Sequence, residues 1–114
     1  MKAERFEDLI VWQNAKDLAV AIYKSFESCR DFGFRDQIQR PSVSIMNDIS
    51  EGFDRKTNNE FKHFLFIAKG SCGELRSMLY LSKETGKISY NEYEKLMSAS
   101  IVISKMLSGF IKKL

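Results

Sequence analysis

The sequence predicts an all-α chain folded as an antiparallel up-down-up-down four-helix bundle, and three observations lead there. Apolar residues recur at steps of three and four over four long segments. Helix caps stand between those segments, and every connection is short, so that neighbouring helices must fold back on each other. At 114 residues, with a hydrophobic content of 44%, a charged content of 29% and a single proline, the chain should form one domain over residues 1–114 around one core.

The first helix should cover about Leu9 to Ser28, where Val11, Ala15, Leu18, Ile22 and Phe26 make one apolar line, flanked by Trp12, Ala19 and Tyr23. Asp31, Phe32, Gly33 and Phe34 break it, and Asp36 is a candidate cap for a second helix running to Gly52. Along that helix Ile38, Ile45, Ile49 and Phe53 mark the apolar side. Arg40, Ser44, Asp48, Glu51 and Arg55 follow one another as a polar ridge on another line of the same cylinder. Pro41 should cause a bend or a delayed start, because its ring crowds the carbonyl four residues earlier and it has no N–H to offer.

Thr57 with Glu60, and Ser89 with Glu92, have the spacing of a capping box and should start the third and fourth helices. The third should end near Thr85 with Gly86 as its left-handed stop, and the fourth should continue almost to Leu114.

The third helix carries more apolar surface than one seam requires. Phe61, Leu65, Ala68, Cys72, Leu75 and Leu79 form the heptad seam of a bundle core. A second line of Phe64, Ile67, Ser71, Met78 and Leu81, with Phe66 and Tyr80 beyond it, extends past the stripe of ~100° that one-sided packing explains. Gly70 and Gly73 stand mid-helix, where each costs up to ~1 kcal/mol relative to alanine, so a close neighbour is expected there. Phe64, Phe66, Ile67, Gly70, Gly73, Met78 and Tyr80 are therefore the candidate self-association surface.

On the polar side of the same helix Lys62, Lys69, Arg76 and Lys83 repeat every seven residues. With a rise of ~1.5 Å per residue they form a basic line with steps of ~10 Å, suited to phosphate backbones when repeated in an oligomer. Lys112 and Lys113 extend the set of candidate nucleic-acid contacts. The overall charge of +3 is mild, so any such site must come from local arrangement.

No catalytic set is readable. Glu60 and His63 match one Glu-x-x-His element of a metal-binding bundle, but His63 is the sole histidine and the second element is absent, so no metal or cofactor is expected. Asp48 and Glu51 could be paired carboxylates, although Arg40 and Arg55 invite salt bridges instead. Cys29 and Cys72 are expected as reduced, packed thiols. There is no phosphate-binding glycine loop, no nucleophile elbow and no Cys-His pair, hence no small-molecule substrate. No apolar run approaches the ~20 residues that span a bilayer and the N-terminus lacks the apolar core of a signal peptide, so no membrane role and a cytoplasmic location are expected.

Ser44-Ile45-Met46-Asn47-Asp48-Ile49-Ser50-Glu51-Gly52-Phe53-Asp54-Arg55 resembles the signature Ser-Ile-x-x-Asn-Ile-Ala-Glu-Gly-x-x-Arg of the bacterial four helix bundle protein family, which includes proteins encoded within intervening sequences of 23S ribosomal RNA genes. Phe6, Asp8-Leu9, Trp12-Gln13, Gln37-Ile38, Arg40, Glu60-Phe61, Ala68, Gly70-Ser71 and Glu74-Leu75 extend the likeness along the chain. Pro41 stands where the family usually has alanine, Asp48 where it has asparagine, and Ser50 where it has alanine. The resemblance implies an antiparallel four-helix bundle that assembles as a homopentamer with a central channel, and it supplies no catalytic residues. The similar fold of the accessory variability protein of diversity-generating retroelements, which has a basic surface, implies contact with RNA or DNA. The expected function is a non-enzymatic, homo-oligomeric accessory protein binding structured RNA. The alternative is a protein-interaction scaffold that uses the ridge Arg40, Asp48, Glu51 and Arg55.

Overall fold

The computed structural model describes residues 3–114. A short 3-10 turn, Phe6–Asp8, precedes four α-helices: α1 Ile10–Ser25, α2 Phe32–Phe53, α3 Asn58–Glu84 and α4 Tyr90–Lys113. The fold is an all-α four-helix bundle measuring 43 × 22 × 20 Å. In cross-section α1 touches α2 and α4, α3 touches α2 and α4, and α1 and α3 lie at opposite corners.

The predicted seams are the core. Val11, Ala15, Leu18, Ile22 and Phe26 are buried on the first segment, Ile38, Ile45 and Ile49 on α2, and all six heptad residues from Phe61 to Leu79 on α3. Tyr93, Leu96, Met97, Ile103 and Leu107 close it from α4. Three serines share this interior without cost, since Ser42, Ser82 and Ser100 each donate to a backbone carbonyl.

Caps explain the boundaries. Thr57 Oγ1 accepts from the Glu60 amide at 3.1 Å and Ser89 Oγ accepts from the Glu92 amide at 3.1 Å, as the spacing predicts. The return half of each box differs, because each glutamate accepts from the capping hydroxyl, at 3.3 and 3.4 Å, rather than from the backbone. Gly86 has φ 69° and ends α3 in the left-handed region that only glycine adopts freely.

The start of α2 is corrected. Asp31, not Asp36, caps the helix, its Oδ1 accepting from the Phe34 amide at 3.1 Å, so Phe32, Gly33 and Phe34 form the first turn instead of a break. Pro41 consequently lies well inside the helix. The carbonyl it leaves without a donor belongs to exposed Gln37, where water can satisfy it.

One end of the bundle gathers the α1–α2 and α3–α4 connections, with Lys87 3.8 Å from Asp31 and 4.9 Å above the Phe34 ring. At the other end Phe61 at the start of α3 meets Phe110 at the end of α4, ring centroids 5.2 Å apart. Ser100 donates to the Cys72 carbonyl and Tyr93 meets Tyr80, so α3 and α4 run in opposite directions.

Candidate nucleic-acid interface

The basic line of α3 lies along the crease with α4 rather than on the outermost surface. Lys69 is exposed, whereas Lys62, Arg76 and Lys83 are half-buried. Arg76 donates to Ser100 Oγ at 3.5 Å, and the Lys83 Nζ stands 4.5 Å from the Tyr93 ring centroid and 5.8 Å from that of Tyr80. Half-burial of the stems fixes where the cationic heads emerge, and the aromatic faces hold the Lys83 head in place.

At the Lys83 end the structure sets Tyr90 and Tyr93, which sequence reasoning missed, beside Tyr80, which it assigned to self-association. Tyr80, Tyr93 and Tyr90 form a chain of rings with successive centroids 6.0 Å apart, and Tyr80 and Tyr90 are 55% and 63% exposed. Two open aromatic faces beside a lysine can stack bases while the lysine meets phosphate. Tyr90 escaped notice because it opens α4, beyond the turn from Lys83. The available signal was its place directly after the Ser89 cap, which returns the chain to the end of α3.

Lys112 and Lys113 are both exposed at the far end. Lys113 shares a cleft of about 940 Å³ with Arg55, Lys56, Thr57, Phe53 and Phe110. The Phe61–Phe110 contact brings the C-terminal lysines to the Lys62 end of the basic line, so cations occur at both ends of α3.

On the ridge of α2, Glu51 pairs with Arg55 at 2.8 Å, and the Arg55 guanidinium lies 4.8 Å from the Phe64 ring centroid. Of the salt bridges expected between Arg40, Arg55 and the two carboxylates, only Glu51–Arg55 forms, and neither Asp48 nor Arg40 is in an ion pair among the described residues. Burial first, and the neighbouring Glu51 charge second, raise the Asp48 carboxyl above the ordinary range. Arg40 instead lines a shallow cleft of about 490 Å³ with Tyr23, Asp36, Gln39, Val43 and Ser44.

The candidate self-association residues divide. Phe66, Ile67 and Tyr80 are exposed and are joined by Leu81, whereas Phe64 is half-buried beneath Arg55 and Met78 packs onto the core. Gly70 has open space where a Cβ would stand, and the nearest atom at Gly73 is the Arg76 guanidinium at 3.9 Å. Among the described residues no element makes the close approach expected there. His63 is exposed, and among the described residues no three His, Cys, Asp or Glu side chains converge as metal ligands. No helix among them is long and apolar enough to cross a membrane.

The model of the 23S rRNA-intervening sequence protein family matches residues 7–109. Among solved structures, the chain is similar to a protein of unknown function from the S23 ribosomal protein family of Bacteroides thetaiotaomicron. The two are 29% identical with a TM-score of 0.85, over 90% of this chain and 99% of the other. No curated protein matches the chain.

Proposed function

The chain belongs to the 23S rRNA-intervening sequence protein family, and from that premise we propose that it is a non-enzymatic accessory protein that self-associates and binds structured RNA along the basic edge of α3. The observation that carries this reading is the row Lys62, Lys69, Arg76 and Lys83, ending in a lysine held against Tyr93 between exposed Tyr80 and Tyr90. Phosphate contacts along the row supply affinity with little sequence preference, and the two open rings favour unpaired bases at a loop or an end. The apolar outer face of α3 supports self-association, which would repeat the row and multiply a charge that is small in one chain.

Anisotropy of a labelled hairpin RNA across a salt series tests the binding. Four phosphate contacts per chain give a log–log salt slope of about −3. Lys69→Glu combined with Lys83→Glu lowers affinity at least ~10-fold, and Tyr90→Ala weakens loop-containing RNA more than a plain duplex. No binding at low salt, or affinity untouched by the double reversal, removes the reading. Light scattering tests the assembly, which requires a mass that is a multiple of 13.2 kDa.

A second reading, a protein-interaction scaffold, is favoured by the Arg40 cleft and the unpaired Asp48 on the α2 ridge. A partner protein retained after nuclease treatment and released by Arg40→Glu would support it over RNA binding.

A further inference from the structure

The two open tyrosines at the Lys83 end each have an exposed glutamate one helical turn beyond them, Glu84 after Tyr80 and Glu94 after Tyr90. Glu94 lies against the Tyr90 hydroxyl and raises it above its ordinary value, first by hydrogen bonding and then by charge. Lys83 is near enough for its charge to oppose that rise. The third carboxylate at this end, Glu92, is taken by the Ser89 cap, whose hydroxyl meets the Glu92 amide at 3.1 Å and its Oε1 at 3.4 Å. Neither Glu84 nor Glu94 takes part in an ion pair among the described residues. Of the other cations here, Lys87 stands 3.8 Å from Asp31, and exposed Lys95 follows Glu94 on α4. An ionised carboxylate is thus held beside an open aromatic face, with a lysine close by.

We propose that Glu94 makes this end of the basic row select guanine among unpaired bases, its carboxylate accepting from the N1–H and N2–H groups of a guanine stacked on Tyr90. This rests on the RNA binding proposed above and names the base that it favours. Stacking alone cannot choose, because every base has a flat face. The hydrogen-bonding edge can. Guanine alone carries two donors side by side on its Watson–Crick edge, and an ionised carboxylate answers them with two acceptor oxygens. Adenine and cytosine set a ring-nitrogen acceptor beside their amino group, and uracil flanks its one N–H with two carbonyls, so each brings a lone pair against the carboxylate. The Tyr90 hydroxyl is a positioning group. By donating to Glu94 it limits where the carboxylate can swing, and of about four lone-pair sites on a carboxylate enough remain for two further donors. Lys83 meets the phosphate of the same nucleotide or its neighbour, offsetting the negative charge that Glu94 brings to a phosphate-binding edge.

Hairpins that share one stem and a uridine loop, with a single loop position varied among guanosine, adenosine, cytidine and uridine, test this by anisotropy. The guanosine loop should bind about 5-fold or more tighter than the other three. Glu94→Gln should cross the order, weakening the guanosine loop while strengthening the uridine loop, because its repulsion of phosphate goes with the charge. A surface charge with no part in base choice would instead shift all four loops in the same direction. Tyr90→Phe keeps the ring but frees the carboxylate, and should shrink the preference with little change for the uridine loop. Glu84→Gln should leave the preference as it is. All three substitutions are at exposed positions, where circular dichroism should confirm an intact fold. Four equal affinities, a preference that survives Glu94→Gln, or one that falls with Glu84→Gln instead overturns the guanine inference and leaves RNA binding standing. A chain that binds none of the hairpins at low salt removes both.

Discussion

Gly52 and Gly70 lie beside opposite faces of α3, and they have different reasons for being glycine. At Gly52, late in α2, an added Cβ would stand 2.7 Å from the Phe64 Cβ and 3.0 Å from the Phe61 ring, so α2 and α3 cross there at a distance only glycine allows. At Gly70 a Cβ would meet no atom of another element within 4 Å among the described residues. The fold of one chain accounts fully for the first glycine, while the second still costs helix stability with no contact to offset it. The inner face of α3 is completed by its own bundle, whereas no element among the described residues covers its outer face at Gly70.

The contrast is broken most severely in the core seam. Leu75→Ala should cost about 3 kcal/mol in urea unfolding, because Leu75 is fully buried, whereas Phe66→Ala should change the stability of the isolated chain by less than ~0.5 kcal/mol. Equal losses would mean that the outer face is packed after all. Next in size, Gly52→Ala should cost about 1–3 kcal/mol, since the base of the Phe64 side chain cannot swing away. Gly70→Ala should instead raise the stability of the dissociated chain by up to ~1 kcal/mol and weaken its assembly in sedimentation. A gain without loss of assembly would detach the glycine from self-association.

Smaller effects come from two titrating groups, one inside and one at the margin. Burial pushes the Cys72 thiol up to about 11, with the Arg76 charge and Ser100 opposing it only partly. The unfolded chain gives up this proton first, so the stabilisation is complete below about pH 9, the unperturbed value, and is lost as pH rises through about 11. Cys72→Ala should flatten that alkaline decline in unfolding curves. At pH 8 only ~1 part in 1,000 of Cys72 is thiolate, so a disulfide-exchange reagent should modify it only through unfolding. Asp48 is also raised, through burial and Glu51, so its ionised form disfavours the fold at neutral pH. Asp48→Asn should therefore stabilise by up to ~1 kcal/mol at pH 7, with the gain fading as acid protonates the native side chain. A larger gain in acid than at pH 7 would contradict the assigned cause.

Most of the fold was legible because helix periodicity and caps are local. The seam residues on α1, α2 and α3 and the starts of α3 and α4 stand where spacing places them. The start of α2 was misread because Asp31 and Asp36 are both plausible caps, and only the backbone around Phe34 chooses between them. The candidate interface was half legible. A seven-residue repeat reveals the basic row, but not that Arg76 and Lys83 are seated against α4, nor that Tyr90 arrives beside Lys83 across a turn. Gly52 was read as the end of a helix, and the cause of its glycine lies on Phe61 and Phe64 of the next one.

The sequence by itself determined the number of helices, their amphipathic faces and the excess of apolar surface on α3, since each follows from residue order along a cylinder. Only the tertiary structure decided which cations sit in a crease, which aromatics gather at one end, and which glycine is filled from within. Those depend on distances between segments far apart in the chain, and such distances are set when the helices bury their apolar faces together.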